Sequence, residues 1–248
     1  MATDPTSFVK VCVNGARQLH EHPALTTDLT VLASDAARAI AAGASAIHVH
    51  PKDASGADSL AADDVDRWVT TFRDRCPGVP LGVTTGAWTV TDPAERVHAI
   101  TAWRALPDFA SVNWHEDGAD VVAAALLERG VGVEAGIWHA EGLARWLDSP
   151  HRSACMRVLV ELPSLEEARV ATAADPLLEA VRAAEPHLPI CLHGEDASAW
   201  TAARLALSRG LGTRIGLEDT LVMPDGSPAR DNAALVECLV QTFGSTTS

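Results

Sequence analysis

The sequence predicts an α/β fold, a single TIM barrel of eight (β/α) units spanning residues 1–248. A chain of 248 residues can bury one large core, and it shows no linker, low-complexity stretch or composition break where two domains could separate. Short β-branched runs alternate with longer amphipathic segments, the pattern of a parallel sheet covered by helices. The glycine-rich turn of an open dinucleotide-binding sheet is absent, because Gly15 and Gly43 form no GxGxxG.

The predicted strands are short runs in which apolar residues alternate with polar ones. In the first of them Val9, Val11 and Val13 alternate with Lys10 and Cys12, so the valines should face a layer of helices. The eight predicted strands span residues 8–14, 45–50, 80–84, 109–113, 131–136, 156–162, 188–193 and 213–218.

Capping residues and apolar spacing predict the helices between these strands. The first has Thr27 as its predicted cap and ends just before Gly43, and the third begins at the capping sequence Asp92-Pro93-Ala94-Glu95. The fifth is short and poorly patterned. The predicted helices span 28–42, 64–75, a segment from 92 onward, 119–129, 141–147, a segment opening at 164–167, 197–208 and 232–242.

The charge of the chain disfavours several classes of partner. Asp and Glu number 33 against 19 Lys and Arg, a formal net charge of −14 that repels nucleic-acid phosphates and anionic lipid. We therefore expect neither nucleic-acid nor membrane binding, and an anionic substrate needs a local positive site.

Other features of the sequence predict a cytoplasmic protein. They are five cysteines without CxxC spacing, a polar N-terminus MATDPTSFVK and no apolar run of about 18 residues.

Every predicted strand carries a polar inward residue at or near its C-terminal end. Polar groups are costly in a core, whereas the active site of a TIM barrel is built at the C-terminal ends of its strands. We therefore expect a functional site there. With branched apolar residues facing the helices, the inward positions at the strand ends are Asn14, His48 with His50, Thr84, Asn113, Glu134, Glu161, His193 and Glu218.

His48 and His50 form the sharpest candidate, because residues two apart on a strand point to the same side and two imidazoles can hold one divalent metal. The alternative is a loop histidine beside a hydrogen-bonded core histidine. Glu218 lies on the eighth strand, separated from the second only by the first, and is the candidate third ligand. Two histidines, a glutamate and an open position form the ligand set of a catalytic zinc, a Lewis acid toward carbonyl groups.

Arg214 and Asp219 are candidates for catalysis beside this metal. Arg214 shares the inward parity of Glu218, so its guanidinium should lie inside the barrel, in a catalytic role or in an ion pair with Glu134 or Glu161. Asp219 is a candidate general base, or it simply caps the next turn.

Two further features of the strand ends concern ligands. The run VTTGAW offers the hydroxyls of Thr84 and Thr85 and, at Gly86, backbone that a ligand can approach, although such strand ends are also ordinary turns. His139 and His193, together with Asp219, leave a binuclear metal hydrolase open, but in those enzymes the HxH pair belongs on the first strand.

Several runs, taken in order along the chain, resemble the β-keto acid cleavage enzymes. They are VNGAR at 13–17, AGASAIHVHPKDASG at 42–56, VTTGAW at 83–88, ASVN at 110–113 and RIGLEDTL at 214–221. The combination of HxH with a later GLED is the specific part. The resemblance implies a TIM barrel in which a β-keto acid and acetyl-CoA, the co-substrate, yield acetoacetate and a new CoA thioester.

The resemblance also implies roles for individual residues. His48, His50 and Glu218 match the ligands of zinc or another divalent metal, and Asp219 and Arg214 match the catalytic aspartate and arginine. The substrate-binding residues it implies, together with the strand-end positions above, are Thr84, Thr85, Gly86, Asn14 and Asn113. Family members assemble into homo-oligomers, commonly tetramers. This chain departs from the family in carrying Lys52 where arginine is usual and in being shorter around the fifth helix.

Two other functions stay open on the sequence. One is a different metal-dependent TIM barrel, either a hydrolase or an aldolase-like lyase, and a hydrolase would ignore acetyl-CoA. The other is a non-catalytic metal-binding barrel that serves as an interaction module, which would bind metal without turning over any β-keto acid. The joint presence of three ligands, a base and an arginine favours an enzyme.

Overall fold

Eight parallel strands form a barrel surrounded by helices in the computed structural model, which describes residues 8–243 and confirms the predicted (β/α)8 fold. The strands are β1 (Val9–Cys12), β2 (Ala46–Val49), β3 (Leu81–Thr84), β4 (Phe109–Asn113), β5 (Gly132–Ile137), β6 (Arg157–Leu162), β7 (Ile190–Gly194) and β8 (Thr213–Ile215). Most of the N-terminal segment MATDPTSFVK, which contributed to the prediction of a cytoplasmic protein, lies outside the described residues.

The strand order explains how distant parts of the chain meet. β1 lies between β2 and β8, with Lys10 in register with both Ala46 and Arg214. A parallel bridge between Cys191 and Gly212 links β7 to the residue before β8 and nearly closes the barrel. Since all strands run the same way, their C-terminal ends form one rim.

One helix follows each strand along the chain. The helices are α1 (Leu29–Ala41), α2 (Ala62–Arg75), α3 (Pro93–Ala102), α4 (Ala119–Glu128), α5 (Ala140–Asp148), α6 (Glu167–Ala184), α7 (Ala199–Ser208) and α8 (Asn232–Phe243). None of the helices in this part of the chain combines the length and apolar character needed to cross a membrane.

Two helix predictions need correction. The cap of α1 is Asp28 rather than Thr27, because the Asp28 carboxylate accepts hydrogen bonds from the amides of Thr30 and Val31. α5 is better formed than its sequence pattern predicted, since Leu143 and Trp146 are both buried on one side of it. By contrast, Asp92 caps α3 as predicted and accepts from the Ala94 amide at 2.7 Å.

The hydrophobic core lies between the strands and the helices. Val9, Val11 and Val13 are buried there, as predicted from their alternation, together with Ile47 and Val49 of the HxH strand. The opposite parity of each strand therefore points into the barrel. This alternation places His48 inside the barrel with Lys10.

Charged residues fill the lower part of the barrel interior. Glu134 pairs with Lys10, and its Oε1 lies 3.3 Å from Nε of Arg157, the first residue of β6. The Arg157 guanidinium also stacks on the ring of Phe8 at 4.3 Å. Glu134 was predicted as an upper inward position and as a partner of Arg214. Its side chain points inward but pairs with Lys10 and Arg157 in the lower part of the barrel. The reason is that Glu134 lies in register with Arg157, the first residue of β6.

Candidate active site

A cavity of about 420 Å³ opens at the C-terminal rim of the barrel. The predicted inward residues that line it are His48, His50, Thr84, Asn113, Glu161, Arg214 and Glu218. They come from five strands and the loops that follow them, so no short stretch of sequence contains the site. An adjoining cavity of about 450 Å³ shares Ala16, Arg17 and Trp88 with it.

His48, His50 and Glu218 converge in the first cavity. One potential ligand atom from each side chain lies within 4.8 Å of the others. Nε2 of His50 is 3.5 Å from Oε1 of Glu218, and the two imidazole rings are 5.3 Å apart. The register of β2 and β8 on either side of β1 produces this convergence.

Two glycines allow the loop after β8, which carries Glu218, to approach the end of β1. A Cβ at Gly216 would lie 2.0 Å from the carbonyl oxygen of Cys12, so β1 and the loop can approach only because that position has no side chain. Gly15 adopts a φ of +58°, and a Cβ there would lie 2.4 Å from Cγ of Glu218. Both close approaches bring Glu218 next to the β1 end of the barrel.

His50 is held in place by three groups. Asn14 fixes its backbone, donating to the His50 carbonyl at 2.8 Å and accepting from the His50 amide at 2.9 Å. Its Nδ1 lies 3.2 Å from Oδ2 of Asp58, and the Trp88 ring stacks on its ring at 5.8 Å. Lys52 in turn pairs with Asp58 and donates to the carbonyl of Gly15 at 2.8 Å. A carboxylate on the far nitrogen is the usual support of a metal-binding histidine.

The electrostatics of the three residues differ. Burial lowers the pKa of His48 well below its ordinary value, so its imidazole is neutral and can act as a ligand. Burial also lowers the pKa of His50, but the carboxylates of Glu218 and Asp58 outweigh it and raise that pKa to about 9. Burial opposes ionisation of Glu218, yet Arg214 and the two histidines hold the pKa of its carboxyl group well below the ordinary value.

The donor set fits a divalent metal. Nδ1 of His48 and Oε2 of Glu218 are buried without a hydrogen-bond partner, an arrangement that is unfavourable unless something else contacts them. Nitrogen and carboxylate oxygen donors suit zinc. Cys12 also lies near Glu218 and Asp219, but burial raises the pKa of its thiol well above the ordinary value, so it is a poor ligand.

Arg214 and Asp219 form a buried pair beside this cluster. Nε and Nη2 of Arg214 donate to Oδ1 of Asp219 at 3.0 and 2.6 Å, and Nη2 also contacts Glu218 at 2.8 Å. The partners of Arg214 are therefore its own loop carboxylates rather than Glu134 or Glu161. Burial raises the pKa of Asp219 to about 6 although Arg214 opposes the shift, so the carboxyl group can both accept and release a proton near neutral pH.

The predicted substrate-binding residues separate into two groups. Thr84 and Asn113 line the cavity. Asn14 lies in the adjoining cavity with its amide engaged by His50, and the Thr85 hydroxyl donates to the carbonyl of Ser111 at 2.7 Å. Gly86 lies under the Trp88 ring, where a Cβ would be 2.1 Å from the indole.

The additional histidines do not form a second metal site. His139 is an exposed residue that caps α5 through the amide of Gly142. His193 is fully buried, with its Nε2 3.0 Å from Glu161 and its Nδ1 3.5 Å from Oδ1 of Asp219. Within residues 8–243 neither belongs to a metal-ligating cluster. The arrangement does not favour the binuclear alternative.

Four residues that the sequence patterns did not single out also shape the site: Arg17, Asp58, Trp88 and Glu195. Arg17 donates to the Glu218 carbonyl at 3.1 Å and pairs with Asp196, joining three loops. Its place at the end of the VNGAR run was a usable signal. Asp58 and Glu195 carry no local signal, because loop geometry alone brings them to the cavity.

A TIM barrel with a His₂Glu cluster and a buried aspartate–arginine pair at its rim is the arrangement typical of metal-dependent barrel enzymes. The chain belongs to the β-keto acid cleavage enzyme family, whose model matches residues 7–246. This match confirms the resemblance drawn from the HxH and GLED runs.

One relative and two solved structures show the extent of the similarity. The 3-keto-5-aminohexanoate cleavage enzyme of Fusobacterium nucleatum subsp. nucleatum is 22% identical over 245 residues, 94% of this chain and 90% of that enzyme. The ternary complex of ObcA with a C4-CoA adduct and oxalate has a TM-score of 0.70 at 18% identity, covering 89% of this chain. The chain spans 64% of ObcA in that complex.

A second structural relative belongs to a different enzyme. The carboxyl transferase domain of Rhizobium etli pyruvate carboxylase has a TM-score of 0.62 at 16% identity, over 97% of this chain and 43% of the other. At such identities the structural similarity establishes the fold alone.

Proposed function

We propose that this chain is a zinc-dependent acyltransferase that condenses a β-keto acid with acetyl-CoA and releases acetoacetate and a new acyl-CoA. The observation that carries the proposal is the presence of His48, His50 and Glu218 in one cavity, beside the buried pair of Asp219 and Arg214. Membership of the β-keto acid cleavage enzyme family supports the reaction class.

His48, His50 and Glu218 would hold zinc or another divalent ion. A bound metal of this kind supplies a Lewis acid that stabilises negative charge developing on the substrate oxygens. Arg214 adds a second positive group at the same end of the cavity. A chain with a net charge of −14 thus has a local site that attracts the carboxylate of a β-keto acid.

The reaction needs one base and no external oxidant or reductant. Asp219 takes a proton from the α-carbon of the β-keto acid, and this carbon bonds to the acetyl carbon as the CoA thiolate leaves. The thiolate then adds to the original keto carbon, and the bond between that carbon and the α-carbon breaks. Asp219 returns the proton to the α-carbon. Every atom of the two substrates is recovered in acetoacetate and the new acyl-CoA.

The other predicted residues would act through contact or support. Thr84 and Asn113 would contact the substrate from the cavity wall. Asn14 would act by holding His50, while Thr85 and Gly86 would shape the loop under Trp88. We also propose a cytoplasmic homo-oligomer, a tetramer as is common in the family.

An exchange experiment tests the reaction without knowledge of the natural substrate. Acetoacetate is a product whichever β-keto acid reacts, so the enzyme should move isotopic label from acetyl-CoA into acetoacetate. A panel of β-keto acids with acetyl-CoA, followed by mass spectrometry for new CoA esters, then identifies the substrate. Metal analysis should find near one zinc per chain, lost in His48→Ala and kept in a variant of the exposed His98, His98→Ala.

Three results would overturn parts of the proposal. Absence of metal from the wild-type protein would remove the central claim. Bound zinc with neither label exchange nor any CoA ester would favour the hydrolase or lyase. Unchanged zinc content in His48→Ala would remove that residue from the ligand set.

A further inference from the structure

Arg17, on the loop after β1, is bonded to the backbone of the loop after β8, which carries one proposed metal ligand and the proposed base. Its Nε donates to the carbonyl of Glu218 at 3.1 Å, and its Nη2 donates to the carbonyl of Asp219 at 3.4 Å. Only 16% of the Arg17 side chain is exposed. One guanidinium group therefore contacts two consecutive residues that the proposed reaction uses.

Asp196, on the loop after β7, completes this arrangement. Its Oδ1 accepts from Nη2 of Arg17 at 2.5 Å. Its backbone amide donates to the carbonyl of Asp219 at 2.7 Å. The Asp219 carbonyl thus accepts from both residues, and the loops after β1, β7 and β8 meet at this oxygen.

The backbone conformation of Asp196 is unusual. Its φ is +46°, and in the part of the chain that the structure describes it is the single non-glycine residue in the left-handed region. This conformation costs free energy in a residue with a side chain, and it persists where surrounding contacts hold it. The contacts here are those with Arg17 and Asp219, so the strained residue supports the loop that carries the base.

The Arg17 guanidinium lines the cavity but already has acceptors for its nitrogens. Nε and Nη2 are bonded as described above, and Nη1 lies 3.4 Å from Oε2 of Glu21. A substrate carboxylate would have to displace these contacts before Arg17 could bind it. The geometry therefore favours a role for Arg17 in holding the loop after β8 rather than in binding substrate.

We propose that Arg17 and Asp196 are positioning residues for the reaction proposed above, on which this inference rests. Arg17 holds the backbone of Glu218 and Asp219, and Asp196 fixes Arg17 through its carboxylate and Asp219 through its amide. Ligand and base share this backbone segment, so its displacement moves both side chains. Catalysis falls steeply when reacting groups are misplaced by about 1 Å.

The first test replaces Arg17. In Arg17→Ala, kcat for label exchange between acetyl-CoA and acetoacetate should fall about 30-fold, while KM for each substrate changes less than about twofold. The zinc association constant, measured by chelator competition, should fall about tenfold because Glu218 loses its support. Arg17→Lys keeps the positive charge but lacks the planar fork that reaches several acceptors, so it should not restore kcat.

A substitution of Asp196 separates positioning from stability. Its side chain is 55% exposed, so loss of this ion pair should leave Tm almost unchanged. Asparagine also tolerates the left-handed conformation. We expect Asp196→Asn to lower kcat about fivefold and to lower it no further when Arg17→Ala is already present, because the pair acts as one unit.

A surface ion pair of equal length is the matched control. Nη1 of Arg209, at the end of α7, lies 2.5 Å from Oδ1 of Asp175 in α6. Arg209→Ala and Asp175→Ala remove this pair away from the rim. Both variants should keep the kcat, KM and zinc affinity of the wild type.

The outcomes separate this proposal from the one on which it rests. If the wild-type protein exchanges no label, the proposed reaction fails, and unchanged zinc affinity in Arg17→Ala would still contradict the support of Glu218. If the wild type is active but Arg17→Ala raises KM with kcat unchanged, Arg17 binds substrate and the positioning role is wrong. Losses that multiply in the double variant would show that Asp196 does not act through Arg17.

Discussion

At the scale of single residues, neighbouring side chains give two histidines of the same strand end opposite properties. Burial lowers the pKa of His48 well below its ordinary value, and the charge of Glu218 offsets this only in part. His50 faces Glu218 and Asp58, and its pKa is raised to about 9. One proposed ligand is therefore neutral at pH 7, whereas the other holds a proton that a metal must displace.

This difference predicts how zinc affinity depends on pH. Below pH 9 the metal-free protein carries a proton on His50, so the association constant should rise about tenfold per pH unit as pH increases toward 9. With an ordinary histidine, the association constant would instead stop rising near the usual histidine pKa. Chelator competition with zinc between pH 6 and 8.5 measures this slope.

A matched pair of variants sharpens the measurement. Asp58→Asn removes one of the carboxylates that raise the pKa of His50. The zinc association constant of this variant should therefore stop rising at a lower pH than that of the wild type. Asp63→Asn changes a highly exposed carboxylate and should leave the profile unaltered. A wild-type affinity independent of pH across this range would show that His50 releases no proton to the metal.

At the scale of elements, the N-terminus of α8 positions the loop that carries Glu218 and Asp219. Asn232, fully buried, accepts from the Leu217 amide at 2.7 Å and donates to the carbonyl of Val13 at 3.0 Å. It also donates to Asp35 of α1 at 2.7 Å. One side chain thus ties the loop after β8 to β1 and to two helices.

Removal of this side chain should affect both stability and metal binding. Asn232→Ala leaves buried backbone groups of Leu217 and Val13 without partners, so we expect a loss of about 3 kcal/mol in the free energy of unfolding. Urea unfolding measures this loss, and zinc affinity should fall because Leu217 precedes Glu218.

Asp231→Ala, one residue earlier, is the control for this variant. It removes a carboxylate that accepts from the Ala234 amide near the helix start and pairs with Arg230 and Arg38. The substitution should cost about 1 kcal/mol without loss of zinc affinity. Equal effects of the two substitutions on zinc affinity would contradict the positioning role of Asn232.

At the scale of the whole molecule, negative charge is in excess, with 33 Asp and Glu against 19 Lys and Arg. With a net charge of −14, the acidic side chains repel one another in the folded state. At the rim, Arg17 and Arg214 are already paired with carboxylates. Salt screens such repulsion over about 10 Å at 0.1 M ionic strength.

Salt should therefore stabilise the folded chain. Raising NaCl from about 0.02 to 0.5 M should increase Tm by a few degrees, as measured by calorimetry. A triple variant that replaces the exposed residues Asp74, Glu128 and Glu179 with lysine lowers the net charge from −14 to −8 and should respond less. A Tm that falls with salt in the wild type would mean that attractive ion pairs outweigh the repulsion.

The sequence by itself determined the barrel, the side chains that point inward, and the HxH and GLED residues of the proposed site. These features follow from local regularities, since alternation along a strand decides which face a residue occupies. The alternation of Val9, Val11 and Val13 and the position of His48 could be read without knowing any neighbour.

Only the tertiary structure decided which polar groups meet. Arg214 pairs with Asp219 and not Glu134, Asp58 reaches His50, and Glu161 contacts His193. Strand register and loop geometry set these contacts. They join residues far apart in sequence. The sequence around a carboxylate does not show which charged groups or hydrogen-bond donors will surround it in the fold. Local pattern therefore predicts the face of each strand, while the pairings that set pKa values depend on the closed barrel.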